Sequence, residues 1–181
     1  MKVSTASIAI ILATAGVTGC GEDKGPTGLG ADLVGTWIFE GTDLVEVLAP
    51  RFLEHAVEQG MSRSEAEAIV DEAFANAEEG FPSWHSTLRF DGDGTWKDDR
   101  GERGSWRIEG GVLISTDGHG LVELWEHILD GDDLTLILTK ERLLSLSRQV
   151  DDSDARKAAY AFYSGLLADD DVLRFLYKRK P

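Results

Sequence analysis

Residues 33–39, Leu33-Val34-Gly35-Thr36-Trp37-Ile38-Phe39, are the stretch whose reading decides the fold. They alternate in period two, with Leu33, Gly35, Trp37 and Phe39 on one face, the pattern of a strand with one buried side. Period two returns after residue 83: Trp84, Ser86, Leu88 and Phe90 share a face, and Asp91-Gly92-Asp93-Gly94 is a hairpin turn of residues that tolerate positive φ. Short strands are expected around Trp96, at Trp106–Ile108, Val112–Thr116 and Leu121–Leu129, and through Leu134, Leu136 and Leu138. Turns rich in Gly and Asp separate them at a spacing of about 8–12 residues, which marks an antiparallel sandwich or barrel. Val172–Lys180 sets Leu173, Phe175 and Tyr177 against Arg174 and Lys178 and reads as a last strand, with a helix as the competing assignment.

Two helical stretches interrupt the strands, at about 43–80 and 140–170. Asp43 is placed to cap the first, Leu44–Gln59, and Pro50 is expected to kink or restart it. Ser62-Arg63-Ser64-Glu65 is a capping box, followed by Ala66, Ile69, Val70, Ala73, Phe74 and Ala77 at helical spacing, with Gly80 and Pro82 as the stop. The later stretch, about Lys140–Ala168, carries Ala158, Ala159, Phe162, Leu166 and Leu167.

The whole chain has 181 residues and a net charge of −15, from 18 Lys+Arg against 33 Asp+Glu. So acidic a surface repels nucleic-acid phosphates, so no nucleic-acid partner is expected. The single cysteine, Cys20, excludes an intramolecular disulfide and a Cys-based zinc site.

Cys20 ends a leader. Lys2 is followed by an apolar run, Ala6–Val17, of about 18 Å as a helix, well short of a bilayer of about 30 Å. The run closes in Val17-Thr18-Gly19-Cys20, which resembles a bacterial lipoprotein signal: a branched apolar residue, two small residues and the cysteine that takes the lipid. The resemblance implies cleavage after residue 19, a lipidated and flexible tether over 20–31 (GEDKGPTGLG from Gly21), and one domain over 32–181. The cleaved chain would keep 17 Lys+Arg against the 33 acids, a net charge of −16. It would sit in the bacterial cell envelope, and Gly21 after the cysteine implies the outer membrane in a Gram-negative cell.

Glycine, any residue, then tryptophan at Gly35-Thr36-Trp37 is similar to the opening of lipocalin and lipocalin-like barrels. Phe90-Asp91-Gly92-Asp93-Gly94-Thr95-Trp96, Gly104-Ser105-Trp106 and Asp133-Leu134-Thr135-Leu136 are similar to hairpins of bacterial lipocalin-like lipoproteins. Thr116-Asp117 runs into Gly-His-Gly and departs from the family's second motif. The resemblance implies an up-and-down barrel of about eight strands, helical insertions after the first strand and before the last, and an arginine over the first-strand Trp, either Arg174 or Arg179. In such a barrel both insertions fall at one end and the tight turns at the other, so the helices form a lid over a pocket or a plug.

Five tryptophans stand on expected strands. Trp37, Trp84, Trp106 and Trp125, with Phe39 and Phe90, are candidates to line an apolar pocket, although packing as core is the simplest role for Trp37. Two parities are open for Leu121–His127. Val122, Leu124 and Ile128 form the expected inner face, which leaves Glu123 and His127 as a solvated pair. The opposite parity places a carboxylate and an imidazole inside, and Glu123 is kept as a candidate ligand contact on that ground. Asp91-Gly92-Asp93 with Glu102 fails as a calcium loop because Trp96 stands where glycine is needed, and the four histidines lack ligand spacing, so no metal is expected. No catalytic motif or cofactor loop is present, and an enzyme would require Glu123 and His127 together in a cavity. The expected function is non-catalytic binding of a small hydrophobic or amphipathic ligand by a protein anchored to the membrane through Cys20. The alternative is a protein-interaction module using the acidic helices, where residues 43–79 hold ten acids and two arginines.

Overall fold

The computed structural model describes residues 30–80, 86–149 and 153–181. The leader, Cys20 and Trp84 lie outside them. The strands are β1 (Gly35–Thr42), β2 (Thr87–Phe90), β3 (Thr95–Asp98), β4 (Arg103–Glu109), β5 (Val112–Asp117), β6 (Val122–Asp130), β7 (Asp133–Thr139) and β8 (Val172–Arg179). Each pairs antiparallel with the next and β8 pairs with β1, so the sheet closes as a barrel in chain order. Closure removes both sheet edges. The C-terminal segment is therefore a strand, laddered to β7 on one side and to β1 on the other.

Helices α1 (Leu44–Glu58) and α2 (Arg63–Gly80) join β1 to β2, and α3 (Lys140–Arg148) and α4 (Ser153–Leu166) join β7 to β8. Both insertions thus sit at one end, opposite the turns β2–β3, β4–β5 and β6–β7. The later stretch is two helices where one was expected. Nor does Pro50 restart α1, which runs unbroken through it. Pro50 and Glu46 both face solvent, so the carbonyl that Pro50 cannot serve is open to water. Asp43 occupies the N-cap position but makes no cap bond. Its carboxylate instead accepts from the Arg174 backbone N–H at 2.6 Å and guanidinium at 2.8 Å, while the Thr42 hydroxyl accepts from Leu44 N–H. The capping box forms as expected: Glu65 N–H donates to Ser62 Oγ at 3.4 Å, and Ser62 N–H donates to Glu65 Oε2 at 3.2 Å.

Two apolar clusters stack along the barrel axis. The floor holds Leu33, Trp37, Leu88, Phe90, Trp96, Trp106, Leu113, Leu134, Leu136 and Tyr177. The roof joins Leu138 and Leu173 of the strands to Leu44, Leu48, Val70, Phe74, Leu146, Leu166 and Leu167 of the helices and their flanks. Trp125 and Phe175 touch both. An ion pair ties the roof down: Arg51 of α1 donates through Nε and Nη2 to the two oxygens of Asp171, each at 3.1 Å, just before β8.

The floor is sealed where the first and last strands meet. Trp37 is wholly buried and its indole N–H donates to Leu33 O at 2.9 Å. Arg179, its register partner on β8, stacks over the indole with the guanidinium carbon 4.3 Å from the ring centre, and Nη1 donates to Val34 O at 2.9 Å. The choice between Arg174 and Arg179 thus falls on Arg179. Gly35 lies directly beneath: its φ is +148°, and a Cβ there would come 2.9 Å from Arg179 Nη1. The Gly-x-Trp spacing therefore sets the indole and leaves the guanidinium room to cross above it.

Arg179→Ala is expected to cost about 2–4 kcal/mol in denaturant unfolding, for a cation–π contact and charge-assisted bonds to carbonyls. Gly35→Ala is expected to destabilise as well. The double variant should lose less than the sum of the two, because removing the guanidinium removes the clash; full additivity would refute the contact.

Candidate functional site

Register fixes which side chains enter the barrel. Leu113 is buried in the floor and faces Trp125 across β5–β6, and Ser115 faces Glu123. Glu123, Trp125, His127 and Leu129 therefore point inward, while Val122 and Ile128 are 36% and 58% exposed outside. This reverses the expected parity of β6. Counting apolar residues favours the wrong face, because the ladder to Leu113 is long-range and leaves no trace in the local pattern.

The candidate residues divide by depth. Trp37, Phe90 and Trp106 are packed into the floor, and Phe90 meets Trp106 edge-on with centroids 5.3 Å apart. Trp106 N–H donates to Asp91 O at 3.1 Å. Trp96, which was not among the candidates, donates to Thr116 O at 3.3 Å across Gly104, where a Cβ would lie 2.6 Å from the indole nitrogen. Phe39 is half-buried against Tyr177, with centroids 5.5 Å apart. Trp125 differs: its N–H goes to a side chain, Glu123 Oε2, at 3.3 Å, and its ring meets Phe175 edge-on with centroids 5.5 Å apart. Glu123 and Trp125 come together beneath the roof, where Trp125 meets Phe175, while Phe39 lies lower, at the level of Tyr177. Phe175 was missed as a site residue; its inward parity was already visible in the Val172–Lys180 pattern.

Phe39, Glu123, Trp125, His127 and Phe175 keep accessible surface although they face inward. Trp37, Leu113 and Leu134 below them have almost none. The barrel is thus solid at the floor, while the inward side chains nearer the roof are incompletely covered. Glu123 is partly covered on the inward face of β6, opposite Ser115 of β5. Burial pushes its carboxyl up to about 7, against the Trp125 hydrogen bond, and Asp117 and Glu102 add to the rise. Burial lowers His127, and its Nδ1 is buried without a hydrogen-bond partner among the described residues. Burial, and then the Glu123 charge, push the Tyr177 hydroxyl up.

Glu123 sets a pH dependence. The folded chain holds a proton there that the unfolded chain releases near the ordinary value of 4.5, so stability falls as pH rises through about 7. Glu123→Gln should match the parent near pH 4 and exceed it above about pH 8, by up to about 3 kcal/mol. Paired denaturant melts across pH check this; a constant offset at every pH would show that the carboxyl does not titrate in the interior.

The closed eight-stranded barrel, with helices after β1 and before β8, fits a lipocalin-like fold. No family model matches the chain, and no curated protein matches it. Among solved structures, apo lipid binding protein 8 of Caenorhabditis elegans is similar to 82% of this chain and covers 96% of its own length, at 13% identity and a TM-score of 0.28, too loose a superposition to bear on function.

Proposed function

We propose that this chain is a non-catalytic binding protein that holds a small hydrophobic or amphipathic ligand between the floor and roof of its barrel. The observation that carries the reading is the ring of inward-facing but incompletely covered side chains, Phe39, Trp125 and Phe175, with the carboxyl of Glu123 among them. Flat aromatic walls supply apolar contact, and a few polar groups fix orientation. The interior Glu123 and His127 do not make an acid–base pair: four residues apart on one strand, their backbones are separated by about 13 Å, with Trp125 between them. The Val17-Thr18-Gly19-Cys20 signal adds the second half of the proposal, an envelope protein anchored through lipid on Cys20, which lies outside the described residues. More than one acyl chain gives stable anchoring, at about 0.8 kcal/mol per buried methylene.

Two measurements test the halves separately. Titration with twelve-carbon amphiphiles should shift tryptophan emission, and Trp125→Phe should abolish the shift while leaving the fold intact; an unchanged shift in that variant would place the ligand elsewhere. Metabolic labelling with palmitate should mark the expressed full chain in a bacterial host and disappear in Cys20→Ser, which should also leave the membrane fraction.

A further inference from the structure

The barrel interior has the wrong charge for a carboxylate. Among the described strand residues, inward positions carry Asp98, Asp117 and Glu123 as acids, and Arg179 as the one permanent cation. Arg179 is committed to the floor, over Trp37 and on the Val34 carbonyl. Asp98 and Asp117 each engage one oxygen within their own turns: Asp98 Oδ1 accepts from the backbone of Arg100 and Glu102, and Asp117 Oδ1 from that of His119 and Leu121. Glu123 has no such use. It accepts only the long Trp125 indole bond, and its second oxygen receives no hydrogen bond from any described residue. His127 Nδ1, two residues past Trp125 on the same face, is also unmatched.

No described cation of the roof pairs with Glu123. Arg51 is held by Asp171 and Lys140 by Asp169. Arg142 gives its Nη2 to Glu126 on the outer face of β6 at 3.3 Å, while its Nη1 is buried with no hydrogen-bond partner among the described residues. A carboxylate head placed beside Glu123 would be desolvated against a like charge with which no described cation pairs.

We propose that the site selects an apolar chain bearing a protonated amine, whose N–H groups satisfy Glu123 while the chain lies along Trp125 and Phe175. This rests on the binding function proposed above and names its ligand class. An ammonium brings the charge that an enclosed carboxylate lacks and up to three donors for its open lone pairs. The other groups facing Glu123 are Asp117, Glu102 and Tyr177, none of which is cationic.

The test uses the full chain at about pH 8, where Glu123 is largely ionised and an alkylamine stays protonated. Dodecylamine, dodecanol and dodecanoate share one chain and differ only in the head. They are titrated separately against tryptophan emission in about 0.3 M NaCl, which screens the general acidity of the surface. Dodecylamine should bind at least about tenfold tighter than dodecanoate. Glu123→Gln should weaken dodecylamine by at least about tenfold and leave dodecanol within about threefold. Asp71→Asn, on the exposed face of α2, should change neither. Equal affinities for all three amphiphiles, or an amine preference that survives Glu123→Gln, would overturn the amine site and leave the binding function standing. Silence from all three would remove the binding function itself.

Discussion

The contact between Trp37 and Arg179 is the constraint on which the rest of the molecule depends. It is the point where a sheet of eight strands becomes a closed surface, and only a closed surface has an inside. Once β8 is locked against β1, every register partner around the ring has its face assigned, and Leu88, Phe90, Trp106 and Leu113 have no alternative to the floor. The indole fills the base, the guanidinium covers it, and the absent side chain at Gly35 lets the two lie on top of each other. Three residues from opposite ends of the described chain therefore act as one device.

The tryptophans show how hydrogen-bond partners separate architecture from function. Trp37, Trp96 and Trp106 each give the indole N–H to a main-chain carbonyl, so each is a bolt between a side chain and the backbone of another segment. Trp125 gives its N–H to a carboxylate that is not otherwise engaged. A buried donor bonded to backbone is finished; one bonded to an enclosed acid leaves that acid with capacity to spare. The same residue type thus builds the container three times and furnishes it once.

Much of this was legible in the sequence. Hairpin turns with Asp and Gly, the alternation of β7 and β8, and the Ser62–Glu65 box are local signals, and the chain folds locally as they say. The closed order of strands came with the Gly-x-Trp resemblance, and the placement of both insertions at one end follows from an up-and-down order. The parity of β6 was not legible. Val122, Leu124 and Ile128 form the more apolar face, yet the ladder to Leu113 and Ser115 turns Trp125 and Leu129 inward and carries Glu123 and His127 with them. Asp43 misled for a related reason: a side chain that suits a local cap was claimed by Arg174, 131 residues away. Where a residue has both a local and a distant use, composition alone shows only the first.

The seal also governs the order in which the barrel can be made. The bond from Arg179 to the Val34 carbonyl spans 145 positions of sequence, so it cannot form until nearly all of the described chain has been brought together. Closing so long a loop is entropically unfavourable and contributes nothing until the last strand docks, which places the barrel among slow-folding, high-contact-order topologies. The α1–α2 hairpin needs only near neighbours and can form first. Until β8 arrives, β1 and β7 expose unpaired edges, and the chain is at its most vulnerable to pairing with another copy of itself.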